Sequence, residues 1–322
     1  MAHATTAVNA GLARALRRRL RVLSKELPRA RRGDVRSVHR ARVATRRLRE
    51  ALAMLEIGAG GLARSARRDL RRVTNALGGV REMDVALLLL HQQASGRSWP
   101  PPAVTAVVAQ CEATRTRRRR QLTNALERTD VAEIVAAIEQ VIATLDSRSR
   151  RSGPASTLVS RLRKRAREFQ RALTAAGTLY VPAPLHAVRL AAKKLRYTLE
   201  LAHEAARLPV THDLRQLEAL QSLLGELHDF QIVQEQTHST IAEGNRDRTS
   251  VRDLEILDAA IERSCRELHA KFLAQLPRLT RLADRVSGDA TLRLARDTRR
   301  PMVKMGALRE PRPARASAAG AR

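Results

Sequence analysis

Two stretches of this chain repeat each other. Residues 38–56 read VHRARVATRRLREALAMLE, and residues 185–203 read LHAVRLAAKKLRYTLELAH. Aligned without gaps they share His39/His186, Arg42/Arg189, Ala44/Ala191, Leu48/Leu195, Arg49/Arg196 and Leu52/Leu199, while Arg46/Lys193 and Arg47/Lys194 keep their charge. The members of each pair stand 147 residues apart. The same separation lays Arg14, Arg17 and Arg18 on Arg161, Lys164 and Arg165, Arg68 on Arg215, and Leu77-Gly78 on Leu224-Gly225. One offset that serves separate segments marks an internal duplication, which restricts the fold to two like units. The units run over residues 1–150 and 151–300. Cys111 matches Cys265 best at an offset of 154, which predicts a connection seven residues longer in the second half.

The periodicity inside each unit is helical. Apolar positions recur at three and four residues, Ala, Leu and Arg dominate, and six aromatic residues in 322 leave little for a sheet. Prolines punctuate this pattern. They predict helices over 8–27, 34–57, 61–77, 81–95, 103–128, 130–147, 155–176, 185–207, 211–224, 226–243, 250–275 and 278–296. From Pro301 the chain is rich in Pro, Ala and Arg and predicts a disordered basic tail over 301–322. No run approaches the ~18 to 20 apolar residues of a membrane span, and the first twenty residues have no apolar stretch ahead of their basic cluster. Two cysteines without a CxxC fit a reducing compartment, so the expectation is a soluble, cytoplasmic, all-α protein.

At 100° per residue His39, Arg42, Arg46 and Arg49 fall within about 80° of one another on a helix, and Ala44, Leu48, Ala51, Leu52 and Leu55 fall on the other side. The second copy repeats the division with His186, Arg189, Lys193 and Arg196 against Val188, Leu195 and Leu199. Like charges at such spacing repel one another unless an anion relieves them. A single charged face is ordinarily just solvated, and a single His ordinarily caps or packs. The same face built twice points to a site. Arg14, Arg17 and Arg18 with Arg161, Lys164 and Arg165 rank second, followed by Arg68 and Arg215. The clusters at Arg67, Arg68, Arg71 and Arg72 and at Arg117 to Arg120 carry less weight.

With 61 Lys and Arg against 32 Asp and Glu, a formal net charge of +29 requires an acidic partner. Nucleic acid shares that footprint. Single-strand binders stack bases on aromatic rings, and only Tyr197 is interleaved with the basic faces. The sequence has no zinc finger, no RNA-binding signature and no recognition-helix pattern. It also lacks GxxxxGK[ST], GxGxxG, HExxH and GxSxG, so binding without turnover and without a cofactor is the default. His212-Asp213 and His228-Asp229 look like metal-binding dyads, but such dipeptides are common and no metal is assigned.

The paired segments, each followed by an LG-containing stretch (Leu77-Gly78 to Asp84, and Leu224-Gly225 to Asp229), resemble the CHAD family, the conserved histidine α-helical domain. The resemblance covers about residues 8–295. It implies two four-helix bundles related by a pseudo-twofold, with a basic central groove or channel that binds inorganic polyphosphate, and a place at polyphosphate granules. Carried over residue by residue, it assigns the site to His39, Arg42, Arg46, Arg47, Arg49, His186, Arg189, Lys193, Lys194 and Arg196. Glu82 stands after the first LG where the family usually has Asp. The alternative is a general polyanion-binding or nucleic-acid-binding helical protein.

Overall fold

Every element of the computed structural model is a helix among its described residues, which are 2–94, 99–147, 153–243 and 248–297. In chain order these are α1 (Ala2–Arg31), α2 (Val35–Ala94), α3 (Pro101–Glu127), α4 (Val131–Ser147), α5 (Gly153–Ala176), α6 (Pro182–Ala206), α7 (Thr211–Ala242), α8 (Arg248–Leu273) and α9 (Leu276–Asp297). The basic tail expected over 301–322 lies outside the described residues.

Each helix buries the stripe its sequence predicts. On α1 that stripe is Leu12, Leu16, Leu20, Leu23 and Leu27, and on the start of α2 it is Val38, Ala41, Ala44, Leu48 and Leu52, all at most 6% exposed. Asp34 caps α2, its carboxylate accepting the Ser37 N–H at 2.6 Å. In the first half α1 packs on α2 and α4, and α2 on α3; in the second α5 packs on α6 and α9, and α7 on α8. The halves meet where α1 crosses α6 and where α2 runs beside α5, α6 and α7. Gly11 permits the first crossing, because a Cβ there would lie 2.6 Å from the Cα of Ala205. One buried apolar cluster takes residues from both halves.

Three sequence expectations are corrected. Of the helices expected over 34–57, 61–77 and 81–95 the last two are continuous, while α2 folds back between Arg49 and Arg67, since the Arg42 guanidinium reaches Gly78 and Glu82. Those over 211–224 and 226–243 are one helix, α7. Gly78, Gly79 and Gly225 do not end their helices, because a glycine inside a helix costs only about 1 kcal/mol, which the buried residues on either side outweigh. Where the second half does break, between α6 and α7, a stronger device is present. Arg207 closes α6 in the left-handed conformation (φ 52°), donating its N–H to the His203 carbonyl at 2.9 Å, and Pro209 follows. The third correction concerns loop length: α3 and α8 begin at Pro101 and Arg248, again 147 apart, so no seven-residue lengthening precedes α8. Seven residues are two helical turns, so Cys111 and Cys265 match at 154 because both occupy a buried face.

Candidate functional site

The course of α2 has a consequence for charge. Arg42, Arg46 and Arg49 lie on one side of its first limb, and because α2 folds back between Arg49 and Arg67 its second limb brings Arg67 and Arg71 near Arg49, and Gly78 and Glu82 beside Arg42. These cations border a cavity of about 890 Å³ between the two halves. Across it α6 presents His186, Arg189, Lys193, Lys194 and Tyr197, α5 presents Arg161 and Arg165, α3 adds Arg118, and α7 adds His228 and Glu235. Eleven Lys and Arg side chains face three carboxylates, Glu50, Glu82 and Glu235.

Those carboxylates are unevenly shared. Glu50 is 9% exposed and accepts two hydrogen bonds from Arg165, at 2.7 and 2.8 Å, and one from Arg161 at 3.2 Å. Thr198 adds a hydroxyl at 3.3 Å, and Arg165 also reaches Glu168 at 2.6 Å. Arg161 and Arg165 line the cavity, but their charge is already spent on tying α5 to α2. Among the described residues the Arg42 guanidinium has only Glu82, at 3.7 Å, and the buried Nε atoms of Arg42, Arg49 and Arg189 have no hydrogen-bond partner. Such donors cost free energy while unmet.

The titrating groups register the same imbalance. Burial, followed by Arg189, Arg46 and Arg42, pushes the Lys193 ammonium down to about 6. Burial and the neighbouring Arg46 bring Arg42 down to about 10, and burial lowers Arg49 and Arg189 as well. His228 falls to about 3 through burial, Arg189 and His186, whose ring centroid lies 5.3 Å away. Burial, Arg189 and Lys193 also lower His186. Asp229 is raised by burial despite Arg189 beside it. An anion in the cavity would reverse the shifts of these cations.

One glycine of α2 makes room for an arginine. A Cβ on Gly79 would sit 3.0 Å from Cδ of Arg118, tighter than ordinary contact, whereas one on Gly78 would meet the Arg42 guanidinium at an ordinary 3.6 Å.

Of the residues singled out by sequence, Arg42, Arg46, Arg49, His186, Arg189, Lys193, Lys194, Arg161 and Arg165 converge on the cavity. The others do not. His39, Arg47 and Arg18 border a separate recess of about 340 Å³, with Arg19, Arg40 and Glu204. His39 sits at one edge of its 80° sector and turns away from the cavity; it still feels Arg42 and Lys193, and its pKa is lowered, first by burial and then by Arg81. Arg47 is paired with Glu200 on α6 at 2.9 Å, and Arg196 lies between Glu200 and Glu218 at 3.5 and 3.4 Å. Arg18 and Arg19 meet at Glu204. Arg17 pairs with Asp146. Arg14, Lys164, Arg68 and Arg215 are exposed outside the cavity lining. The two faces are thus used asymmetrically: Arg49 reaches the cavity while its repeat partner Arg196 does not, and Lys194 reaches it while Arg47 does not.

Sequence reasoning left Arg67, Arg71, Arg118 and His228 out of the site. Arg67 and Arg71 reach the cavity because α2 folds back on itself; nothing local marks Arg118 or His228. Tyr197 is 7% exposed, with the guanidiniums of Arg47 and Arg196 at 5.8 and 5.5 Å from its ring centroid. Asp213 pairs with Arg285 at 2.7 Å, so this dyad serves an ion pair.

No helix among the described residues is long and apolar enough to cross a membrane. A search of curated proteins finds no match. Among solved structures the chain is similar to the CHAD domain of the plant Ricinus communis, with 17% identity and a TM-score of 0.58, over 88% of this chain and 91% of that one. It is also similar to PptA from Streptomyces chartreusis, with 18% identity and a TM-score of 0.60, over 85% of this chain and 98% of the other. At such identities the likeness concerns the fold. The sequence model of the CHAD domain matches residues 14–238, well over half of the sequence, and the chain belongs to the CHAD domain family.

Proposed function

We propose that the chain binds inorganic polyphosphate in the cavity between its halves and does not turn it over. The observation that carries this reading is the set of α2 cations facing Arg189, Lys193 and Lys194 on α6, with buried guanidinium donors left unmet. Eleven Lys and Arg side chains against three carboxylates exceed what one small anion balances, and a polymer with a repeating charge matches them. Charge-assisted hydrogen bonds to phosphoryl oxygens satisfy such donors, and guanidinium geometry suits them. Bases are not provided for, because the one Phe, Tyr or Trp ring among the described lining residues, Tyr197, is buried between arginines. Association with polyphosphate granules in the cytoplasm is the setting this function implies.

The test is competition. Labelled long-chain polyphosphate is bound at physiological salt and challenged with DNA, RNA and heparin at equal charge equivalents, and the length of the bound chain is followed over time. The proposal expects each competitor to be needed in at least about tenfold excess, equivalent to ~1.4 kcal/mol, and the chain to keep its length. Displacement by equal DNA would establish the general polyanion reading, and release of orthophosphate would establish turnover.

A further inference from the structure

Lys193 is placed unlike any other lysine of the described chain. It is half-buried in the cavity wall, and none of the described ion pairs holds it. From α2 it is faced by Arg42 and Arg46, from its own helix by Arg189 and His186, and from α7 by His228 and Asp229. Asp229 alone among these attracts a proton to it. An amine surrounded in this way keeps its lone pair, and the guanidiniums beside it are phosphoryl ligands. A nucleophile and a holder for a phosphate leaving group therefore share one site.

We propose that Lys193 is an acylation site: the cavity gathers an acyl phosphate by its phosphoryl group, and the Lys193 amine takes the acyl group. The inference rests on reading the cavity as a phosphate-binding site. The neutral Nζ attacks the carbonyl carbon. The C–N bond forms as the bond from that carbon to the bridging oxygen breaks, inorganic phosphate leaves with the electron pair, and the proton lost by nitrogen passes to it. The product is an amide that can no longer take up a proton when an anion binds and that fills part of the site, so acylation opposes polyphosphate.

The size of the effect follows from the amine. At pH 7.5 an ordinary lysine near 10.5 is about 0.1% neutral, whereas Lys193, at about 6, is almost wholly so, an advantage of about 10³. A weaker base is a weaker nucleophile, and a Brønsted slope like the ~0.4–0.5 of thiolates takes back about a hundredfold. About tenfold remains before the cavity concentrates the reagent.

The full chain is treated with acetyl phosphate at pH 7.5, and acetylation is measured at each lysine by peptide mass spectrometry. Lys193 should react at least about tenfold faster than the exposed Lys25, Lys164 and Lys271, and its rate should be flat above about pH 7 where theirs still climbs. With an uncharged acetylating ester the preference should shrink, and excess polyphosphate should suppress the reaction with acetyl phosphate. Reaction at or below the rate of the exposed lysines would overturn the proposal, as would a phosphoramidate mass in place of an acetyl mass. Polyphosphate binding is measured on the same preparation. If polyphosphate binds and Lys193 is inert, the acylation proposal alone fails. If Lys193 reacts as expected but polyphosphate neither binds nor protects, acylation stands and the polyphosphate reading fails.

Discussion

Replacing Arg42 and Arg189 together with glutamine should cost most of the affinity for polyphosphate while leaving the fold intact. Both side chains line the cavity, both have a buried Nε without a partner, and burial lowers the pKa of both. A hydrogen bond to a charged group contributes ~1.5–3 kcal/mol, so two losses amount to about 3–6 kcal/mol, or roughly 10²–10⁴ in Kd. Any lost cation weakens a polyanion complex through counterion release, so the comparison needs a matched control. Arg68→Gln with Arg215→Gln supplies one: the charge change is equal, the residues are repeat-related, and both are exposed outside the cavity. Fluorescence anisotropy of labelled polyphosphate across a salt titration separates the two. The cavity double should also lower the slope of log affinity against log salt by about 2, and the control by much less. Because the cavity arginines carry buried, poorly compensated charge, the free double mutant should melt at the same temperature as the parent or higher. Equal binding by the two doubles across the titration would refute the placement of the site. A cavity double that melts well below the parent would refute the account of unmet charge.

Other consequences are open to test. Lys193 sits at about 6 in the free protein, and a bound anion raises it, so binding takes up a proton and affinity falls as pH rises above about 6, by at most one log unit per pH unit; Lys193→Met should flatten that slope. The same group disfavours the folded state below its ordinary 10.5, where the unfolded chain holds the proton, so the stability of the free protein should rise with pH between about 6 and 10, less so in Lys193→Met. Glu50→Gln strands Arg161 and Arg165, the latter 8% exposed, and should cost about 3–5 kcal/mol in urea unfolding. His186→Gln should alter polyphosphate affinity below about pH 7 and His39→Gln should not, since only His186 lines the cavity. Gly11→Ala forces a Cβ onto the backbone of α6 and should destabilise by about 1–3 kcal/mol in the same assay.

Helical periodicity made most of the fold legible, because buried stripes such as Leu12 to Leu27 depend on spacing alone. The breaks expected at Gly78 and Gly225 do not occur, since whether a glycine ends a helix depends on what packs around it. At Gly78 and Gly79 the neighbours are arginine side chains from 36 and 39 residues away in sequence. The core of the site was legible in the charged faces of α2 and α6. The division between cations that face the cavity and cations that are neutralised was not, because it depends on carboxylates remote in sequence. Glu50 takes Arg165, Glu200 takes Arg47, and Glu204 takes Arg18. Repeat symmetry gave His39 and His186 one role, but the helices carrying them turn different sectors toward the cavity, and only His186 reaches it.

The central claim is that a polyphosphate chain occupies the cavity between the halves. A crystal structure of the protein with a polyphosphate of defined length tests it most directly. Phosphate groups should lie within hydrogen-bond distance of Arg42, Arg189 and Lys193 and continue through the cavity toward Arg49, Arg67 and Arg71. Density confined to the exposed arginines, around Arg68 and Arg215, with the cavity arginines untouched, would contradict it.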